Sequence, residues 1–192
     1  MTADPFFQRS ELLRPVAAQL LIVDVQGRLV PHIDGHESVV AQCVRATRAA
    51  GVLAIPVTVS EQYPAGLGPT DPRILEAATG AGAGRVEKMT FSTAQEPHCW
   101  KRLYELQRPQ ILMVGIETHV CVQQTALDLK ARGLAPIILA DACGSRRAYD
   151  REIALQRMRA AGIIVTTVES AIYELMHRAG TEQFKRMLPI VK

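Results

Sequence analysis

Short apolar runs alternate with helical segments along most of the chain, and this alternation constrains the fold more than any other feature. Each run is a few residues long, rich in Val, Ile and Leu, and ends in a polar residue or a turn, as is typical of buried strands. The predicted strands are Gln19–Asp24, Val52–Val59, Arg85–Lys88, Gln110–Gly115, Pro136–Asp141 and Ile163–Val168. The predicted helices are Glu37–Ala50, Arg73–Thr79, a helix from Ser92 or Thr93 to about Gln107, Val120–Arg132 and Asp150–Ala161, with a last helical region that Gly180 interrupts.

Strands that alternate with helices are typical of right-handed crossovers, which predict an α/β fold with a mainly parallel sheet covered on both faces. The Gly- and Pro-rich stretch from Ser60 to Pro72 is predicted to be irregular. We expect residues 1–192 to form a single domain, since this length suffices for one sizeable core. Ligands of such sheets bind beyond the carboxyl ends of the strands, so the residues at those ends are the candidates for function.

The composition excludes several classes of protein. Hydrophobic residues make up 48% of the chain and the formal net charge is +3, which argues against disorder and against a nucleic-acid partner. No apolar run reaches the ~18 residues of a membrane span, so no membrane partner is expected. The N-terminus does not resemble a signal peptide, and the four cysteines form no CxxC pair, so we expect a cytoplasmic protein with free thiols.

Three strand ends carry residues that could act together. Asp24 ends the first strand, Lys88 ends the third, and Cys121 lies just after the fourth, at the start of a helix. A thiol at a helix N-terminus tends toward the thiolate, the nucleophilic form. Each residue alone has a simpler role as a helix cap, a solvated lysine or a small core residue. Their coincidence at the cleft predicts a nucleophile, a base and an electrostatic partner.

These segments resemble the isochorismatase-like cysteine hydrolases. The resemblance is carried by LLIVDVQ around Asp24, EKMTFST around Lys88 and VGIETHVCV around Cys121, in the expected order. EQYPAGLGPT, ALDLKARG and DACGSR are similar to signatures of the isochorismatase domain-containing subgroup. The resemblance covers essentially the whole chain.

The resemblance implies a three-layer α/β/α fold with a doubly wound, Rossmann-like sheet of six parallel strands in the order 3-2-1-4-5-6. It implies Asp24 as general base, Lys88 as electrostatic partner and Cys121 as nucleophile. It also implies a cis peptide between Ile116 and Glu117, which would turn the N–H of Glu117 toward an oxyanion hole shared with the N–H of Cys121. Family members commonly assemble, so a homo-oligomer, a dimer or a tetramer, is expected. In the implied strand order Lys88 is two strands from Asp24, so it must lean across the second strand or lie on a loop that curls inward.

The chain departs from metal-dependent relatives. Family nicotinamidases hold a metal through an Asp-x-His motif and a further histidine after the second strand, whereas TVSEQYPAGLGPTDPR has no histidine. We therefore expect no catalytic metal and no cofactor. Candidate pocket walls, by position only, are Gln26, Gln62, Tyr63, Phe91 and Glu117. The Glu117 carboxylate either approaches the pocket, where it would disfavour anionic substrates, or points away into a salt bridge.

These observations predict a hydrolase that cleaves a small amide-like carbon–nitrogen bond through a covalent intermediate on Cys121. The alternative is a catalytically silent or regulatory family member that acts through oligomer or partner contacts. Nucleotide binding is disfavoured, because Gly80, Gly82 and Gly84 follow no strand and match no dinucleotide fingerprint.

Overall fold

The computed structural model describes residues 12–192, and its centre is a sheet of six parallel strands. The strands are β1 (Ala18–Val23), β2 (Val57–Gln62), β3 (Gly84–Lys88), β4 (Gln110–Ile116), β5 (Ala135–Gly144) and β6 (Ile164–Thr166). Their order is β3-β2-β1-β4-β5-β6, so the predicted fold class and strand order are confirmed. The order reverses between β1 and β4, the position where doubly wound sheets open a crevice for ligands.

Helices cover both faces of the sheet. They are α1 (His36–Val52), α2 (Pro64–Leu67), α3 (Pro72–Gly80), α4 (Pro97–Glu105), α5 (Gln123–Ala131), α6 (Ala148–Ala160), α7 (Val168–Met176) and α8 (Glu182–Val191). Side chains along β1 alternate between two cores, with Leu20 and Ile22 in the core under α1 and α7, and Leu21 and Val23 in the core under α5 and α6. No helix among residues 12–192 is long and apolar enough to cross a membrane.

The second strand is displaced from its predicted position. Val52 belongs to the last turn of α1, and the chain turns through Ala54, whose φ is +52°, before β2 begins at Val57. At its other end β2 continues to Gln62 and is followed by the short helix α2, so the prediction that Ser60 to Pro72 is irregular was wrong. The polar residues at the end of β2 remain in the strand because their side chains find partners in the site described below.

The helices predicted after Ser92 and at Val120 are also subdivided. Thr93–Gln95 forms a 3₁₀ turn, and α4 begins only at Pro97, since a proline fits the first turn of a helix and not its interior. Thr118–Val122 forms one turn of π-helix before α5, and Cys121 lies in that turn.

Gly115 allows β4 to approach β1 closely at the end that carries the candidate site. Its φ is +128°, and a Cβ atom placed there would lie 2.1 Å from the carbonyl oxygen of Val23. Because the contact would be with backbone, no side-chain movement could relieve it. The β4–β5 register also shifts between Met113 and Gly115. Gly115 therefore sets the separation between the ends of β1 and β4.

Gly115→Ala should lower the free energy of unfolding by more than about 3 kcal/mol, because it combines a strained φ with a backbone clash. The matched control is Gly133→Ala, where φ is +82° but no atom lies within 4 Å of the added carbon. The control should cost only about 1 kcal/mol. Urea unfolding of both variants measures the difference, and equal losses would contradict the close approach.

Candidate active site

Asp24 follows β1 in a backbone conformation that non-glycine residues seldom adopt. Its φ is +52°, in the left-handed region that aspartate tolerates better than most residues. Its N–H donates to the carbonyl oxygen of Ser60 at 3.1 Å, and its own carbonyl accepts from the N–H of Gln26 at 2.8 Å. Uncommon backbone conformations of this kind persist where the surroundings hold them, and they concentrate at functional sites.

The side chain of Lys88 reaches Asp24 by crossing the end of β2. Lys88 pairs in register with Gln62 of β2, and β2 in turn pairs with β1. From there its ammonium Nζ donates to Asp24 Oδ2 at 2.6 Å, and both side chains are fully buried. Of the two routes considered from the sequence, the structure thus has the lysine lean across β2.

Every polar atom of this ion pair has a hydrogen-bond partner. Ser60 Oγ donates to Asp24 Oδ1 at 2.7 Å. Lys88 Nζ also donates to Gln62 Oε1 at 2.7 Å and to the carbonyl oxygens of Phe91 and Thr90 at 3.1 and 3.2 Å. Burial of two charges is tolerated when they pair and when their remaining donors and acceptors are satisfied, as here.

Cys121 lies within electrostatic range of this pair. The pKa of its thiol is raised to about 12: burial is the main cause, the negative charge of Asp24 adds to it, and the ammonium of Lys88 opposes it. The expectation that a helix start alone favours the thiolate was therefore wrong. Cys121 lies in the π turn that precedes α5, and desolvation of the buried thiol is the largest cause of its raised pKa.

The other three cysteines have no exposed surface, whereas Cys121 is 7% exposed. Burial raises the pKa of Cys99 to about 11 and that of Cys143 to about 12, and it also raises the pKa of Cys43 well above its usual value. Ease of ionisation therefore does not distinguish Cys121. What distinguishes it is access from solvent combined with the neighbouring carboxylate of Asp24.

The segment before Cys121 crosses from β4 into the π turn. The peptide bond between Ile116 and Glu117 is cis. The carbonyl oxygen of Glu117 accepts from the N–H groups of Val120 and Val122 at 3.1 and 3.2 Å. Among residues 12–192 no acceptor is found for the N–H of Glu117. The Glu117 carboxylate pairs with Arg146 Nε at 2.8 Å, so the salt bridge considered from the sequence is present.

The candidate pocket residues fall into two groups. Tyr63 and Phe91 are 49% and 56% exposed, which leaves their rings free to contact a ligand. Gln26 is fully buried, and its amide bonds to the backbone of Gln62 and to the carbonyl oxygen of Gly68. The amide of Gln62 is also committed, to Lys88 and to the carbonyl oxygen of Met89. The two glutamines therefore brace the site and do not present free amides.

Sequence reasoning missed Ser60 and the part played by Arg146. Ser60 falls at the start of the stretch predicted to be irregular, although its register opposite Val23 of β1 places it beside Asp24. The side chain of Arg146 is 63% exposed and yet pairs with Glu117, a contact that nothing in the sequence indicates. His119 is half-buried, with Nδ1 3.0 Å from Ser145 Oγ. Within residues 12–192 no group of three or more His, Cys, Asp or Glu could hold a metal ion.

The chain is similar to known proteins in both sequence and fold. A profile of the isochorismatase domain matches residues 18–170. Isochorismatase domain-containing protein 2A of Mus musculus is 39% identical over 180 residues, which cover 93% of this chain and 84% of that protein. The structure of MAR1 ribonuclease from Caenorhabditis elegans superposes with a TM-score of 0.88 at 33% identity, covering 94% of this chain and 92% of that one. The YcaC gene product of Escherichia coli is described as an octameric hydrolase of unknown specificity. Its structure superposes with a TM-score of 0.86 at 20% identity, covering 95% of this chain and 93% of that one, and shows that the two share a fold.

Lys88→Met should lower the free energy of unfolding by about 3–5 kcal/mol, because it leaves the Asp24 carboxylate buried without a counter-charge. The double variant Asp24→Asn/Lys88→Met should regain most of that loss, since no buried charge remains. Urea unfolding of the two single variants and the double variant measures this coupling. Losses that simply add would contradict a mutually dependent buried pair.

Stability should fall as the pH rises from about 8.5 toward 12, because the thiols ionise near 8.5 when unfolded but only at higher pH when folded. Below the pKa of the unfolded chain, a thiol whose pKa is raised by folding contributes its full stabilisation. Between that pKa and the folded one, each such thiol lowers the unfolding free energy by about 1.4 kcal/mol per pH unit. In this pH range Cys143→Ala should therefore make the fall of the unfolding free energy with pH less steep. The reduction should be about 1.4 kcal/mol per pH unit, the effect of one proton. An unchanged slope in this variant would contradict the raised pKa of Cys143.

Proposed function

Because the chain belongs to the isochorismatase family of hydrolases, we propose that it cleaves a small amide-like carbon–nitrogen bond through a covalent intermediate on Cys121. One observation carries the proposal: the fully buried pair of Asp24 and Lys88 acts electrostatically on the one cysteine with exposed surface. A buried carboxylate beside a thiol is the arrangement that nucleophilic catalysis by a cysteine requires.

In the proposed mechanism Asp24 removes the thiol proton as Sγ attacks the substrate carbonyl carbon. The carbonyl oxygen becomes an oxyanion, which then re-forms the double bond as the carbon–nitrogen bond breaks. The departing nitrogen takes the proton from Asp24 and leaves as an amine or ammonia. Water, with its proton passing to Asp24, then attacks the thioester and releases the acid and the free thiol.

The raised pKa of Cys121 explains why a base is needed. With a pKa of about 12, only about one thiol in 10⁵ is ionised at neutral pH. If Asp24 accepts the proton while Sγ attacks the carbonyl carbon, no free thiolate has to accumulate before the reaction. The three groups thus act as a unit, with Lys88 stabilising negative charge on whichever of its neighbours carries it.

We propose that the N–H groups of Glu117 and Cys121 bind the oxyanion. The absence of a protein acceptor for the Glu117 N–H among residues 12–192 supports this role, since a donor already in use could not serve a substrate. Backbone donors of this kind contribute about 3–4 kcal/mol each in hydrolases where they have been removed.

The substrate is proposed to be small and uncharged at its reacting end. Only 7% of Cys121 is exposed, which restricts the approach to a compact group, and the exposed rings of Tyr63 and Phe91 are proposed as its walls. Because Arg146 pairs with the Glu117 carboxylate, the charges of these two side chains largely balance. A neutral amide would then enter without the desolvation cost that a free ion carries.

The names of two similar proteins suggest one further substrate and one further measurement. The Caenorhabditis elegans neighbour is called a ribonuclease, so an RNA substrate belongs in the test beside the amides. The Escherichia coli neighbour is described as octameric, and this chain is proposed to form a homo-oligomer as well. Sedimentation analysis measures the assembly directly.

A panel of neutral primary amides, carboxylate-bearing amides and a single-stranded RNA should show hydrolysis of neutral amides only. Added hydroxylamine should divert the acyl group to a hydroxamate, because it competes with water for a thioester. Cys121→Ala should lose at least about 10³-fold in activity, and Cys143→Ala, a matched loss of a buried thiol, should keep it. In the folded protein iodoacetamide should label Cys121 ahead of Cys43, Cys99 and Cys143.

Turnover that survives Cys121→Ala would contradict the covalent mechanism, as would equal labelling of all four thiols. No turnover of any amide, together with a stoichiometric protein partner, would favour the alternative of a catalytically silent or regulatory protein. Cleavage of the RNA alone would replace the amide proposal.

A further inference from the structure

The last residue of β2, Gln62, lies beside the ion pair and makes contacts that the proposed mechanism does not use. β2 separates β1, which Asp24 follows, from β3, which ends in Lys88. Any side chain at the end of β2 is therefore placed where the lysine must cross. Gln62 Oε1 accepts a hydrogen bond from Lys88 Nζ at 2.7 Å, nearly as short as the 2.6 Å bond from Nζ to Asp24.

The orientation of the Gln62 amide is determined by its two partners. Nε2 donates to the carbonyl oxygen of Met89 at 2.9 Å, and this oxygen can only accept. Lys88 Nζ can only donate, so Oε1 must face it. Exchange of the two amide ends would break both hydrogen bonds, and the side-chain carbonyl is therefore held against the ammonium.

The backbone of Gln62 is fixed as firmly as its side chain. Its N–H donates to Gln26 Oε1 at 2.8 Å, and its carbonyl oxygen accepts from Gln26 Nε2 at 3.0 Å. The buried amide of Gln26 thus pairs with Gln62 as a neighbouring strand would. Because both ends of Gln62 are held, its Oε1 is a preorganised acceptor for Lys88.

The hydrogen-bonding capacity of Lys88 is fully used. An ammonium has three N–H groups. Two make the short bonds to Asp24 and Gln62, and the carbonyl oxygens of Phe91 and Thr90, at 3.1 and 3.2 Å, share the third. No N–H group remains for a substrate, so Lys88 acts through its charge, and its effect depends on where Nζ is held.

We infer that Gln62 is a positioning residue that holds the Lys88 ammonium against Asp24, so that the pair is in place to generate the Cys121 thiolate. This inference rests on the proposed function, because it assigns Gln62 a role in that same site. A purely local role in the loop is less well supported, since Glu96 and Thr90 tie the loop independently through the Met89 N–H at 3.2 Å and the Ser92 carbonyl at 2.9 Å.

The first test uses Gln62→Glu, which keeps the shape of the side chain and adds a negative charge beside Lys88. The added charge competes with Asp24 for the ammonium and opposes a thiolate at Cys121. We expect iodoacetamide to label Cys121 about tenfold more slowly near neutral pH, with the rate profile moved to higher pH by about one unit. Gln183→Glu makes the same change of charge at an exposed position of α8 and should leave the profile unchanged. A Gln62→Glu profile that superimposes on that of the unaltered protein would overturn the inference.

The second test uses Gln62→Met, which removes the acceptor without adding a charge, and does not depend on the reactivity of Cys121. A double-mutant cycle with Lys88→Met compares the unfolding equilibrium constants, and we expect a coupling of about tenfold between the two positions. Additive effects would overturn the inference even if Cys121 were unreactive or Gln62→Glu failed to fold. Normal coupling with an unlabelled Cys121 would instead count against the proposed function alone.

Discussion

The ion pair between Asp24 and Lys88 is the interaction on which the site depends. It forms between residues from two strands that are not neighbours, and it is fully buried. Such a pair is stable only if its other polar atoms are satisfied, which requires Ser60 and Gln62 from the intervening strand and the loop carbonyls after β3. The carboxyl ends of β1, β2 and β3 therefore supply the partners that allow two opposite charges to be buried together.

The same pair defines the environment of Cys121. Near an isolated carboxylate the thiol would resist ionisation strongly, and near an isolated ammonium it would ionise easily, with no base to receive the proton. Burial, with the added effect of the Asp24 charge, raises the pKa of the thiol to about 12 and leaves it protonated at rest, while Asp24 is an acceptor beside it. A cysteine of this kind is spared indiscriminate reaction while retaining a route to the thiolate.

The parallel α/β class and the residues at the strand ends could be predicted from the sequence, because apolar runs and the rules of parallel sheets are local and general, and the strand order followed from the family resemblance. The extent of β2 could not, since Ser60 and Gln62 look like loop residues until their partners on β1 and β3 are known. The pKa of Cys121 was misjudged because a helix start is visible in a sequence, whereas the burial that raises the pKa is not. The route of Lys88 across β2 likewise depends on register, which hydrophobic pattern alone does not determine.

The π turn at Thr118–Val122 limits which insertions and deletions this segment can accept during evolution. A π turn contains one residue more than the α-helical turn it replaces. Deleting one residue there would let α5 extend without interruption, and it would rotate the thiol by about 100° relative to β4, although every functional side chain remained present. Between Gly115 and α5 the number of residues is thus constrained as tightly as their identity, and insertions or deletions that loops elsewhere accept would here separate the nucleophile from its base.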